Sequence, residues 1–207
     1  MSSKRNCTTI LLGTLFVLSG HLAHAGSMSP VVTVPVVGVF NDDSVAHGEV
    51  LPAVFVQVER RQDQGPLCVI LKHQPGMVGD DYQERLESAL GNGLARLNHD
   101  ARGLPVSIGF AGRFRFTGGS LLGAVVIGTV AALEGRSLAP NLVLTATVEP
   151  DGSLGPIADL DVKIAGAGSY TVLYPFSQIS NVPNHLMSGP TSRPVRTLQE
   201  ARLLMLP

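Results

Sequence analysis

Ser120 stands after two glycines and before a long apolar run in the stretch TGGSLLGAVVIG, residues 117–128. A serine there can cap a helix, or it can be a nucleophile at a helix N-terminus. The second role needs a base, because a serine hydroxyl attacks poorly while it keeps its proton. Lysines are scarce enough to be informative. Beyond residue 25 the chain has only Lys72 and Lys163, against eleven arginines. A buried lysine can lose its proton near neutral pH, whereas an arginine cannot. Lys163 lies 43 positions after Ser120, with Ile157, Leu160 and Ile164 around it to shield the amine. A solvated surface lysine is the plainer alternative.

Other site chemistries have weaker support. The sequence has no HExxH and no paired CxxC, so neither a zinc site nor any other metal or cofactor is expected. GGSLLG is not G-x-S-x-G, because Leu122 takes the place of the last glycine. There is no glycine-rich loop ending in Gly-Lys-Ser/Thr. A Ser-His-Asp triad stays open, but nothing marks His47, His73, His99 or His185 as its base; all four are expected in loops or at element ends.

These residues must be positioned by the elements around them. VVGVF (36–40), VLPAVFVQV (50–58) and LCVILK (67–72) read as strands, with hairpin character in the ERRQDQG between the last two. DDYQERLESALGNGLARL places Tyr82, Leu86, Leu90, Leu94 and Leu97 at helical spacing, with Asp80 and Asp81 suited to its start. LPVSIGF (104–110) is a strand, and residues 121–135 form a helix that is apolar nearly all round and so buried. NLVLTATV (141–148) is a strand, EPDGSLG (149–155) a turn, 158–167 a short helix, YTVLYP (170–175) a strand and 197–206 a closing helix. In RFRF (113–116) both phenylalanines are expected to face the core and both arginines solvent. The pattern predicts one domain, α/β or α+β, over residues 36–207, with 26–35 as a linker.

Residues 1–25 read as a secretory signal peptide: Lys4 and Arg5, an apolar stretch, then Ala23-His24-Ala25. An exported chain, periplasmic or secreted, is therefore expected, with no stable membrane insertion after cleavage. Cys68 is then the sole cysteine, so no internal disulfide can form; it is expected to be a packed, inert thiol. The net charge of −1 and the absence of tryptophan argue against a nucleic-acid partner.

The segment TGGSLLGAVVIGTVAALEGR, followed by LVLTATVEPDGSLGPIADLDVKIAGAGSYTVLYP, resembles the proteolytic domain of the Lon protease family. That family has a Gly-x-Ser motif opening an apolar helix, then a threonine-bearing strand. Next come a G-x-[VL]-x-P-[IV]-G-G-L-x-x-K segment and a strand of the type K-T-V-L-I-P. The second segment here is GSLGPIADLDVK, Gly152 to Lys163, and the Ser-to-Lys interval is the family's. Residues 76–97 and RPVRTLQEARLLML resemble the flanking elements. The resemblance implies a Lon-like α+β fold, a mixed sheet with helices in layers like those of ribosomal protein domain 2.

It also implies an exported endopeptidase cutting unfolded or exposed polypeptide segments. Ser120 matches the nucleophile, Lys163 the general base, and Thr145 the threonine that orients the lysine. Gly118 and Gly119 match the loop where backbone amides meet the oxyanion, with the Gly119 and Ser120 amides as its donors. No segment resembles the family's ATPase domain, so hydrolysis would be independent of ATP. A homo-oligomer, a hexameric ring, is the partner state the resemblance implies. Departures lie at Thr117, at Gly119 in place of proline, and at Leu121-Leu122 in place of small residues. Asp159 and Asp161 replace a glycine and a polar or basic residue near Lys163. Two other readings stay open: an inactive Lon-like module that binds or scaffolds a partner protein, and a phosphate binder of the GHMP-kinase type.

Overall fold

A computed structural model describes residues 29–42, 45–61, 64–73, 77–112, 115–187 and 191–207. The expected signal peptide, as well as Arg113 and Phe114, lie outside the described residues. The chain is mixed α+β. Strands β1 (Val32–Asp42) and β2 (Val45–Val58) pair antiparallel. Their register shifts between Val34 and Val36, where Pro35 has no N–H to give the ladder. Residues 32–35, expected as linker, are therefore the bulged start of β1.

Strand β3 (Cys68–Lys72) runs parallel to β4 (Pro105–Phe110), and β4 runs antiparallel to β2. The sheet order is β1-β2-β4-β3. The expected hairpin through ERRQDQG is thus not formed, because β4 lies between β2 and β3. A parallel neighbour needs a crossover, and helix α1 (Tyr82–Arg96) supplies it. At its start Asp81 makes no side-chain cap; its carboxylate takes a 2.7 Å hydrogen bond from Arg85 instead. Cys68, on the outer strand β3, is half-buried rather than packed.

Helix α2 (Leu122–Glu134) is buried from Leu122 through Ala132 and ends at Gly135 in the left-handed conformation, φ 63°. It packs on β1, β2 and α1 within the main core. Each fully buried aliphatic side chain contributes roughly 1.5–3 kcal/mol, so α2 is the element on which the fold centres. Among the described residues no helix is long and apolar enough to cross a membrane.

The second half builds a parallel sheet, β5-β8-β9, from β5 (Leu142–Leu144), β8 (Thr171–Pro175) and β9 (Ser192–Val195). The expected strand 141–148 is broken: β6 (Thr147–Val148) leaves this sheet and pairs with β7 (Leu154–Gly155). Helix α3 is shorter than expected, Leu160–Ala165. With β8 it encloses a smaller core of Val37, Val143, Leu160, Ile164, Val172 and Tyr174. A short helix, α4 (Asn184–Met187), precedes β9, and α5 (Leu198–Met205) closes the chain.

Candidate active site

The loop before Ser120 is held from below. Phe116 donates its amide to the Met77 carbonyl (2.6 Å) and accepts from Gly79 (3.2 Å). Its ring packs on Phe110, with centroids 4.9 Å apart. The fully buried Tyr82 hydroxyl donates to the Gly118 carbonyl at 3.2 Å. Burial pushes that phenol far up, despite the nearby Arg85, so it serves as a neutral donor. Gly118 is extended (φ −90°, ψ 152°), and Gly119–Leu121 make one 3₁₀ turn that runs into α2. At such a start the first amides, those of Gly119 and Ser120, have no intrahelical acceptor.

The break in strand 141–148 anchors the same turn. Ala146 donates its amide to the Ser120 carbonyl (2.8 Å), and its carbonyl accepts from Gly123 (3.0 Å). Backbone groups that would have continued a ladder with β8 are used to dock α2. Leu121 and Leu122, the bulky departures, are 6% and 5% exposed. Both pack into the core, and Leu121 also lines the base of the pocket described next.

A cavity of about 370 Å³ opens in front of this turn. Ser120, Gly118, Gly119 and Lys163 all line it, as do Val36–Phe40 of β1. Lys163 is only 6% exposed. Burial lowers its pKa from 10.5 to about 8, and the Asp159 carboxylate partly opposes that. Among the described residues no hydrogen bond joins the Ser120 hydroxyl to the Lys163 amine. Catalytic hydrogen bonds are often long before substrate binds.

Thr145 sits differently. It is 1% exposed and does not line the pocket, and among the described residues its hydroxyl has no partner. An unpaired buried hydroxyl costs roughly 1–3 kcal/mol. The lysine is positioned mainly by backbone packing. A Cβ on Gly48 of β2 would collide with the Val162 carbonyl oxygen and lie 3.0 Å from Lys163 Cα. A Cβ on Gly166 would collide with the Gly48 carbonyl. Strand β2 and helix α3 therefore touch backbone to backbone.

Comparison with protein-family models and with curated proteins gives no match to the sequence.

Several residues of the site carried no motif signal. Thr147 lines the pocket and donates to the Glu149 carboxylate at 3.1 Å. Ile157 lines it too, clamped by Gln178: its amide donates to Gln178 Oε1 (2.9 Å), and its carbonyl accepts from Gln178 Nε2 (2.8 Å). Asp159 takes the left-handed conformation, φ 54°, which glycine adopts most readily. It is this carboxylate that acts on Lys163, not Asp161, which is exposed on α3.

Proposed function

We propose that the protein is an exported Lon-like serine endopeptidase. It hydrolyses peptide bonds of unfolded or exposed polypeptide segments with a Ser120–Lys163 dyad, without ATP. The observation that carries this reading is a lysine, 94% shielded from solvent, that shares one pocket with a serine at a helix start. A neutral Lys163 amine takes the Ser120 proton as Oγ attacks the scissile carbonyl. The Gly119 and Ser120 amides, free of intrahelical acceptors, stabilise the oxyanion. The resulting lysinium protonates the leaving amine. Water then attacks the acyl-enzyme, with Lys163 again as the base. A polypeptide substrate is supported by β1: it is an outer strand, and its residues 36–40 border the pocket, so an extended segment can lie along its edge.

The purified chain is expected to degrade an unfolded casein-like substrate without ATP. Ser120→Ala and Lys163→Ala are each expected to lower the rate at least a hundredfold. Equal, null activity in all three folded proteins would sink the proposal. The unpartnered Thr145 hydroxyl and the unjoined dyad favour a second reading, a binding or scaffolding module. That reading predicts saturable binding of unfolded polypeptide with no cleavage at any pH.

A further inference from the structure

The geometry points to a cation-selecting subsite at Asp159, which takes a lysine or arginine side chain of the polypeptide; this rests on reading the pocket as a peptide site. Among the described residues that line it, Asp159 is the one carboxylate. It is exposed, and its side chain does not cap α3, although Asp159 immediately precedes that helix. Its backbone adopts a conformation that glycine would accept at no steric cost. The carboxylate caps nothing; the one charge it acts on is the buried Lys163 amine behind it, which leaves its exposed side open to a substrate cation. The neighbouring walls, Val36, Leu51, Phe116 and Ile157, are apolar and suit the aliphatic stem of a long cationic side chain. Arg115 also lines the pocket, from the loop before Ser120, and is not ion-paired with Asp159. A substrate cation is drawn to the exposed Asp159 carboxylate and away from both Arg115 and the buried Lys163 amine.

The test uses the full chain with Ser120→Ala, so that binding is read without cleavage. Two fluorescent peptides of identical extended apolar sequence carry one central lysine or its neutral isostere norleucine. The lysine peptide is expected to bind roughly fivefold tighter, the range of a part-exposed ion pair. The preference is expected to vanish in Asp159→Asn and in Asp159→Gly, the second of which suits the backbone. Equal behaviour of the two peptides, including no measurable binding of either, overturns the inference, as does a preference that survives both variants. If the Ser120→Ala protein discriminates but the unmodified protein cleaves neither peptide, the subsite stands and the peptidase reading fails.

Discussion

Under the proposed mechanism, burial of Lys163 has two opposite effects, one on activity and one on stability. As a base the lysine must be neutral, and with a pKa of about 8 roughly a tenth of it is neutral at pH 7. Hydrolysis is therefore expected to rise with pH and level off above about 8. Asp159→Asn removes the carboxylate that holds the proton on, so the midpoint of that rise is expected to move to lower pH; a rate–pH profile of both proteins checks it. An unmoved midpoint would show that Asp159 does not act on the lysine. For stability, the folded chain binds fewer protons at this site than the unfolded chain between pH 8 and 10.5. The cost of burying the ammonium is fully present below pH 8 and fades as pH rises toward 10.5. Lys163→Met is expected to be inactive, yet more stable at pH 7 by about 2–3 kcal/mol. The gain should shrink at pH 10, as read from urea midpoints at both pH values.

At the scale of elements, the local signals were strong where one segment decides its own structure. Tyr82, Leu86, Leu90 and Leu94 form the buried face of α1, and the apolar run after Ser120 is the buried helix α2. What the sequence hid depends on distant partners. VLTATV reads as one strand, but the docking of α2 takes Ala146 out of the ladder. ERRQDQG looks like a hairpin because nothing local reveals that β4 comes between β2 and β3. Gly48 and Gly166, 118 positions apart, carry no motif, yet their contact sets the seat of Lys163. Gly48→Ala is expected to push α3 off β2, costing about 1–3 kcal/mol of stability and lowering kcat more than it raises KM. Unchanged kcat in a folded variant would count against that seat. The Gln178 clamp gives a complementary expectation. Gln178→Ala leaves both Ile157 backbone groups unpaired and should raise KM, with a loss of about 1–3 kcal/mol, whereas Gln178→Glu keeps the acceptor and should lose less.

Across the whole molecule, the ends of the main core are tied by one acid. Glu134, the last residue of α2, accepts from Arg202 of α5 (2.5 Å) and from Arg136 (3.2 Å), with His99 Nε2 at 3.5 Å. Arg136 also donates to the Leu206 carbonyl at 2.5 Å. Helix α5 is held from below by its buried Leu198, Ala201 and Met205. Thr197 caps it, accepting from the Glu200 amide at 3.0 Å, and Glu200 reaches back to the Arg196 amide at 2.9 Å. The Thr197 cap is a local signal, a threonine followed three residues later by glutamate. The Glu134 cluster is not, because it gathers three chain segments. Burial alone would raise the Glu134 pKa, but the hydrogen bonds from Arg202 and Arg136 outweigh it and lower it below its ordinary value. Its contribution to stability is therefore present above that ordinary value and is lost as pH falls through the lowered one. Glu134→Gln is expected to cost about 1–2 kcal/mol at pH 7, because it leaves Arg202 and Arg136 facing a neutral amide. Well below the lowered pKa the variant and the unmodified chain should unfold alike, since the acid is then protonated in both states. A urea midpoint series from pH 7 to pH 2 should therefore converge; a gap that stays constant with pH would assign the loss to packing rather than to charge.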